Sequence, residues 1–418
     1  MFETVWQDLR HGARMLAKNP GFSLIAVMSI AIGVGANAAM FSIADGLILR
    51  PLAVPAASEL ITVSATTPAG EVRNSGISYL DYVDIRSRAR GFDGLAATRF
   101  VNASLARQRD ESAQSTFGQA VSANLFDVLR VRPMLGRTFL PDEDRVVGRD
   151  AVVILSHETW TEQFGADPAI VGREIRLTGV PFTVIGVTPQ GFTGLNILQP
   201  VAFYVPIAML PALVAGAPPD LLEQRDVRSL RVLGRLTPGT SIAQASQEID
   251  LIARALQDEH PATNARYGLV VGREMDTRFS EYAPLAGLSV ILLGLALAVL
   301  LVACANVAGL LTSRAPVRAR EIAIRLAIGG SRTRLMRQLI TESVLIAIAG
   351  GLAGVAVAYG IVNSFRQFQI ANDFGVRLTY ELDQRALLVA FAFAAVSALL
   401  SSAMPSWRST RIGDLSST

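Results

Sequence analysis

The sequence predicts an α/β domain carried on a four-helix transmembrane domain, and two observations predict this division. The 418 residues are 51% hydrophobic and only 17% charged, with a mean hydropathy of +0.39, whereas soluble proteins average about 25% charged residues. The apolar runs also lie towards the two ends of the chain, while residues 50–283 have the composition of an ordinary globular domain. A membrane part and one globular domain therefore account for the chain.

The basic residues predict the orientation of the chain in the membrane. Seven arginines lie between Arg314 and Arg337, in a segment flanked by two long apolar runs. Cytoplasmic loops of membrane proteins carry an excess of Arg and Lys, so we expect this segment, residues 313–338, in the cytoplasm. The net charge is only +3, and the basic clusters lie beside apolar runs. We therefore expect the lipid bilayer, and no nucleic acid, as their partner.

The first transmembrane helix is predicted at residues 21–49. A polar and basic segment, residues 1–20, precedes it with the spacing of an amphipathic helix, and we expect this segment in the cytoplasm. The apolar run has no charged residue before Asp45, so it exceeds the roughly 20 residues that span a bilayer. Residues 33–38 match a GxGxxA fingerprint and residues 36–38 a signal-peptidase site, but the first has no preceding strand and the apolar run continues past the second.

The globular segment, residues 50–283, contains signals for two strand–helix–strand units, one near each end. Ser78 is placed to cap one helix, and Ser241 with Gln244 forms a capping box at the start of another. Pattern and turn residues predict strands at 60–65, 151–155, 174–177, 182–187, 230–236 and 269–271, and helices at 78–90, at 157–164 and from 242 to before 260. The two units indicate a subdomain built from both ends of the segment, with a strand-rich insertion from about residue 120 to about residue 205.

Three further transmembrane helices are predicted at residues 284–312, 339–365 and 386–405. A short periplasmic loop, residues 366–385, joins the last two, and residues 406–418 form a basic cytoplasmic tail, so that both termini lie inside. In the third helix Gly350 and Gly354 have the small-xxx-small spacing that lets helices approach closely. The same spacing arises by chance, so helix packing is a hypothesis for this pair.

The basic loop itself is patterned. Glu321 precedes Arg325 by four residues, which is the favourable order for an ion pair along a helix. Gly329 and Gly330 interrupt the pattern, so we expect two short helices with a corner at the double glycine. The first helix would present an apolar edge made of Ile322, Ile324, Leu326 and Ile328. Two interpretations stay open: the arginines only fix topology, or the edge is a docking surface for a cytoplasmic partner.

Motifs of catalysis and cofactor binding are missing from the sequence. It contains no GxxxxGK[ST], GxSxG, HExxH or CxxC pattern, and its three histidines and its single cysteine, Cys304, lie far apart. The acidic run 142–144 follows Pro141 and is expected to be a solvated turn. Within the four predicted spans, residues 22–43, 285–311, 344–362 and 386–404 include no Asp, Glu, Lys, Arg or His, whereas such residues mark ion paths through a membrane. We expect no enzyme, no cofactor, no metal site and no ion-coupled transporter.

Several segments together resemble the permease part of MacB-type ABC transporters, above all the MacB-like duplicated orphan permeases. The most specific are residues 8–52, DLRHGARMLAKNPGFSLIAVMSIAIGVGANAAMFSIADGLILRPL, and residues 304–345, which resemble the FtsX-like permease region. Further resemblance lies at residues 77–86, 121–144, 152–160, 181–192 and 232–245.

The resemblance implies a bacterial inner-membrane protein whose periplasmic domain has a discontinuous porter-like half and an inserted strand-rich half. It implies a homodimer or a heterodimer with a related permease, a separate ABC ATPase subunit and, as a further partner, a periplasmic adaptor. Closure of the ATPase pair would move the periplasmic domains without passing substrate between the membrane helices. The coupling contacts carried over onto this sequence are Arg320, Glu321, Ile322, Arg325, Leu326 and Gly330.

Two departures from the family pattern leave alternatives open. MacB proper has an ATPase domain before the first membrane helix, and the duplicated permeases repeat the whole unit, whereas this sequence shows one unit. It is a fragment of a duplicated permease or a single-unit member. The expected function is a permease that transmits ATP-driven motion for export or efflux. The alternatives are a membrane-anchored, FtsX-like regulator of a periplasmic enzyme and an inactive remnant of a duplicated permease.

Overall fold

The computed structural model describes the globular segment almost completely and the membrane segments in part. Besides some isolated helical positions, the described residues are 20–45, 52–66, 76–108, 113–195, 201–281, 287–299 and 332–367. The predicted coupling loop as far as residue 331, nearly all of the predicted periplasmic loop 366–385 and, apart from Leu388, the predicted fourth span lie outside the described residues. The chain divides into two compact units, one built around residues 50–283 and one from the flanking segments, and each is treated by itself.

Two helices of the flanking segments are long and apolar enough to cross a membrane. Helix α1 spans Pro20–Ala44 and helix α9 spans Arg332–Gln367, and their apolar stretches are Pro20–Ser42 and Val344–Ser364. A shorter apolar helix, Gly287–Ala303, falls within the predicted second span. The count of four spans remains a prediction.

The described residues of the α/β domain form ten strands, numbered in chain order: β1 Leu60–Thr66, β2 Phe92–Ala106, β3 Gln114–Val121, β4 Leu135–Gly136, β5 Val152–Leu155, β6 Glu174–Leu177, β7 Val180–Val187, β8 Phe203–Pro206, β9 Arg231–Leu236 and β10 Gly268–Arg273. Its helices are α2 Tyr79–Arg88, α3 Leu125–Leu129, α4 His157–Phe164, α5 Leu210–Leu213, α6 Ile242–Glu259, α7 Pro261–Asn264 and α8 Glu274–Glu281. Short 3₁₀ turns cover Ala57–Glu59, Pro141–Asp144, Pro168–Ile170 and Ile207–Met209.

Local sequence signals account for several of these boundaries. The Ser78 hydroxyl accepts a hydrogen bond from the Asp81 N–H and caps α2. Ser241 and Gln244 form the predicted capping box of α6. The β6–β7 hairpin turns through Thr178 and Gly179 with φ of 50° and 82°, and two positive φ values are what a tight turn matching the strand twist requires.

The strands form a single sheet in the order β10-β1-β9-β2-β3-β8-β5-β7-β4, with β6 pairing to β2 and β7. In the first four strands, β9 lies antiparallel between β1 and β2, and β1 lies antiparallel between β10 and β9. The unit β1-α2-β2 and the unit β9-α6-β10 are therefore interleaved, so that strands from the two ends of the domain alternate. The strands between β3 and β9 in the chain extend the same sheet beyond β2 and β3.

Two hydrophobic cores lie on the two faces of this sheet. On the helical face, α2 and α6 pack onto strand residues such as Val63 and Val232, and Ile249, Ile252 and Leu256 of α6 are buried there. On the opposite face, Leu60 and Leu233 pack with α3 and an aromatic cluster. Neighbouring residues of β9 thus enter different cores, as expected for a strand whose side chains alternate between the faces of a sheet.

Candidate functional site

Two segments of the α/β domain adjoin the membrane segments in sequence and are the candidate sites of force transfer. The first connector, residues 52–59, follows α1 in the chain, and the second connector, α8, precedes the apolar helix Gly287–Ala303. In the chain, the α/β domain is joined to the membrane segments at these two places.

The first connector is bound by one buried arginine of β9. Only 2% of the Arg235 surface is exposed. Its guanidinium donates hydrogen bonds to the carbonyl oxygens of Pro55 and Ala56, the latter at 2.8 Å, and lies 3.0 Å from a carboxylate oxygen of Glu59. Its Nε donates to the carbonyl of Val128, the last turn of α3, at 2.8 Å. Burial lowers the pKa of Arg235 from its usual value, but an arginine stays charged at any physiological pH.

The second connector is bound by the same strand. Arg231 of β9 lies 3.2 Å from a carboxylate oxygen of Glu274, the first residue of α8. The Glu274 carboxylate is also bound by Arg278 one turn later in α8, and Glu274 and Arg278 are both buried. A hydrogen bond of 2.6 Å between the hydroxyls of Thr62 on β1 and Thr277 on α8 fixes the same helix to the sheet.

Arg231 and Arg235 lie on one face of β9. They are four residues apart on a strand, so their side chains point the same way, together with Leu233, which belongs to the core opposite α2 and α6. Both connectors are therefore fastened to the same face of the same strand. We call Arg231, Arg235, Glu59 and Glu274 the connector clamp.

The helical face is held differently, by its apolar core and by polar contacts between its helices and loops. Arg225 binds the carboxylates of Asp81 and Asp84 at 2.7 and 2.6 Å. Arg228 binds the second oxygen of Asp81 at 3.1 Å and stacks on the ring of Tyr267. These contacts tie α2 to residues 225–228, which precede β9, and they involve neither connector.

A buried carboxylate corrects one expectation from the sequence. Asp144 was expected in a solvated turn, but only 9% of its surface is exposed, and its two oxygens accept hydrogen bonds from the backbone N–H groups of Ala123 and Ala208. Burial raises the pKa of Asp144 to about 6, and the hydrogen bonds from Ala208 and Ala123 oppose that rise. Asp144 joins the start of α3 to the segment after β8. These parts are distant in the chain, so no local sequence pattern predicts the contact.

The membrane segments form a close helix pair. Every fourth residue along one side of α1 is buried, namely Phe22, Ala26, Ile30, Val34 and Ala38. The matching buried series in α9 is Ile346, Gly350, Gly354, Ala358 and Val362. Ridges of this spacing interdigitate when two helices pack.

Gly350 and Gly354 lie at the centre of this contact. A Cβ atom at Gly350 would lie 2.6 Å from Ile30 Cγ2, and one at Gly354 would lie 2.9 Å from Val34 Cβ. Such distances leave no room for a side chain. The role of the two glycines in helix packing remains a prediction, and these distances are what it requires.

The other predicted site residues, Arg320, Glu321, Ile322, Arg325, Leu326 and Gly330, lie outside the described residues, and their role remains a prediction. Among the described residues, no group of three or more His, Cys, Asp or Glu side chains is placed to hold a metal ion. Sequence reasoning missed the connector clamp. The available signal was the pair of arginines inside the otherwise apolar strand 230–236, where a charged residue is unusual without a buried partner.

Comparison with known proteins matches both parts of the chain. The profile of the family described as MacB-like periplasmic core domain matches residues 23–252, and that of the FtsX-like permease C-terminal family matches residues 293–413. The chain is 28% identical over 358 residues to the macrolide export ATP-binding/permease protein MacB of Azoarcus sp. strain BH72, covering 84% of this chain and 51% of that protein. It is 26% identical over 414 residues to the protein of the same description from Hyphomonas neptunium, covering 98% and 60%. The chain thus spans about half the length of these relatives.

Solved structures also show similarity. The periplasmic region of MacB from Actinobacillus actinomycetemcomitans aligns with a TM-score of 0.39 at 15% identity, covering 53% of this chain and 92% of that one. The extracellular domain of the ABC-type transporter YknZ from Gram-positive bacteria aligns with a TM-score of 0.36 at 18% identity, covering 50% and 99%.

Proposed function

The chain belongs to the family of membrane permeases with a MacB-like periplasmic core domain, and on this premise we propose that it transmits ATP-driven motion from a separate ABC ATPase subunit to its α/β domain for export or efflux. Within the proposal the α/β domain is periplasmic, both termini are cytoplasmic and the membrane is the bacterial inner membrane. The permease acts as a homodimer or a heterodimer with a related permease, and a periplasmic adaptor is a further partner.

The observation that carries the proposal is the anchoring of both connectors in the α/β domain. A domain that only binds a ligand needs no fixed relation to its membrane anchor, and a flexible linker would serve it. Here the chain that follows α1 is bound by the buried Arg235, and the chain that precedes the next apolar helix is bound by the partly buried Arg231. This construction transfers displacement of the connectors to the sheet.

The composition and packing of the membrane helices favour a mechanical role and not the role of a substrate channel. The apolar stretches Pro20–Ser42 and Val344–Ser364 contain no charged residue and no histidine, whereas ion paths and proton relays use such residues. Around Gly350 and Gly354 the two helices are in backbone-close contact. We propose that helices packed in this way act as levers.

The ATPase contact is proposed at the apolar edge of the basic loop. Ile322 and Leu326 are four residues apart, which places them on one side of a helix, flanked by Arg320 and Arg325. An apolar helical edge with flanking cations fits a groove on a soluble subunit. Glu321 and Gly330 complete the proposed contact.

The test is a pull-down of the full-length chain in mild detergent, probed for a nucleotide-binding subunit. We expect recovery of an ATPase with the wild type and with the size-matched control Leu326→Met, and loss with Ile322→Asp and with Leu326→Asp. Membrane insertion of all variants is checked by fractionation. Retention of the ATPase by both aspartate variants refutes docking through this edge. A stable complex with a periplasmic enzyme and no ATPase would support the regulator alternative and contradict the transporter proposal.

A further inference from the structure

We propose that strand β9 is the element on which the two connectors converge, and that Arg231 and Arg235 are positioning residues that make both connectors move with the sheet as one body. This inference rests on the proposed function and names the residues through which the motion would pass. It concerns contacts within the α/β domain only.

The contacts of Arg235 are directional. Its planar guanidinium binds carbonyl groups of two consecutive connector residues, a connector carboxylate and the end of α3. A fork of N–H donors in fixed geometry constrains both the position and the orientation of what it binds. An apolar side chain at this position would fill the same space, but its contacts would allow the connector to slide.

The contacts of Arg231 join two elements and are not needed within either. The Glu274 carboxylate already has a partner inside α8, because Arg278 binds it one turn away. The additional bond from Arg231 therefore contributes little to the helix itself. What it adds is a link between α8 and β9, supported by the hydroxyl pair of Thr62 and Thr277.

The position of β9 in the sheet makes it a suitable point of convergence. It is hydrogen-bonded along both edges, to β1 in a register that pairs Leu60 with Arg235 and to β2 in a register that pairs Thr98 with Arg231. A displacement of β9 is therefore shared at once by its two neighbours. Through β2 it reaches β3 and the strands beyond it.

The experiment measures whether an ATP-driven change in the connectors also reaches β2, beyond the connector clamp. The full-length chain in lipid nanodiscs is combined with the ATPase recovered in the pull-down, and backbone hydrogen exchange is compared with and without ATP plus vanadate. In the wild type we expect an ATP-dependent difference in residues 52–59 and 274–281 and also in β2. In Arg231→Gln/Arg235→Gln we expect the difference to persist in the connectors and to disappear in β2, while ATPase binding is unchanged.

Single variants keep the test informative if the double variant does not fold. Arg231→Gln alone should reduce the ATP-dependent exchange difference in β2 at least twofold, and Arg231→Lys should restore it, because the lysine ammonium group is a point charge that can also pair with the Glu274 carboxylate. Arg254→Gln is the matched control, since Arg254 pairs with Asp250 on the exposed side of α6. A role in folding alone would change exchange in the absence of ATP and would leave the ATP-dependent difference intact.

The outcomes separate the two proposals. No ATP-dependent difference anywhere in the wild-type chain refutes the proposed function, and the inference with it. A difference that reaches β2 unchanged in the arginine variants refutes the inference alone. Loss of the β2 difference in Arg231→Gln but not in Arg254→Gln supports it.

Discussion

The helix pair of the membrane unit and the connectors of the α/β domain are both held by close contacts, but the chemistry of the two contacts differs. The α1–α9 contact is made of small and apolar residues with backbone-close approach at two glycines, whereas the connectors are held by hydrogen bonds and ion pairs of the buried Arg235 and the partly buried Arg231. Lipid offers helices no hydrophobic gain on association, so close packing has to stabilise the pair. In a domain surrounded by water, burial of apolar side chains stabilises the fold. Hydrogen bonds of charged side chains can then fix the orientation of individual segments such as the connectors.

The largest effect on stability is expected at Arg235, the buried arginine that binds the first connector. Arg235→Gln leaves the carbonyls of Pro55, Ala56 and Val128 without their donor. The buried Val128 carbonyl costs about 1–3 kcal/mol when unsatisfied, and the two part-buried bonds to the connector are lost with it, so we expect a loss of about 3 kcal/mol in the unfolding free energy of the α/β domain. Unfolding is followed in the full chain by fluorescence of Trp160, with Trp6 and Trp407 replaced by Phe. The control is Arg254→Gln, an exposed ion pair worth less than about 1 kcal/mol. Equal effects of the two changes would contradict the structural assignment of Arg235.

The helix pair should respond to volume and not to charge. Gly354→Val introduces a Cβ within 2.9 Å of Val34, and overpacking of this kind costs about 1–3 kcal/mol. We expect a lower midpoint of thermal aggregation of the full chain in detergent. Gly360→Val has the same chemistry in the same helix, but nothing lies within 4 Å of its Cβ position. If Gly360→Val destabilises the chain as much, helix propensity and not packing explains the result.

The pH dependence of stability tests the buried polar contacts of Asp144 in the α/β domain. Its folded pKa of about 6 lies above its ordinary value of 3.8, so the folded state binds a proton more readily than the unfolded state between these values. The stabilising contribution is complete below the unfolded pKa and is lost as pH rises through 6. Between pH 7 and pH 5 we expect wild-type stability to gain about 1 kcal/mol from this group. The gain should be absent in Asp144→Asn, and a wild-type pH profile that matches the variant's would contradict this assignment.

The smallest effect is expected at a helix start on the domain surface. Ser241→Ala removes the acceptor for the Gln244 N–H at the N-terminus of α6, and loss of such a cap costs about 1 kcal/mol. The midpoint of the Trp160 transition should fall slightly, while the neighbouring Thr240→Ala has no cap to lose. A fall as large as that of Arg235→Gln would mean that α6, and not the connector clamp, limits the stability of the domain.

Local signals in the sequence were sufficient for much of this fold. Ser78, the Ser241–Gln244 pair and the Thr178–Gly179 turn act on residues only a few positions away, so their structural consequence is readable from the sequence alone. The 15-residue strand β2, in contrast, was not predicted. Its Gly94, Arg99 and Asn102 interrupt the alternation of apolar and polar residues that predicts a strand. Besides its pairing with the neighbouring β3, its formation depends on pairing with β9, which is distant in the chain.

The connector clamp and the environment of Asp144 depend on tertiary contacts. Arg235 binds residues 55–59, and Asp144 binds Ala208, so neither partner lies within a sequence window that periodicity can examine. A charged side chain within an apolar strand signals only that some partner exists. The basic-loop residues around Leu326 were predicted from charge and family resemblance, and that prediction awaits the pull-down.

The interleaved strand order has a consequence for the biogenesis of the protein. Val63 pairs with Val232 on one side and with Val271 on the other, so the earliest strand of the domain has no neighbour until the ribosome has made nearly all of it. At roughly 5–20 residues per second this wait is on the order of ten seconds or more. During that time β1 and the buried face of α2 are exposed on whichever side of the membrane they emerge. These segments therefore depend on chaperones for protection until β9 and β10 have been synthesised.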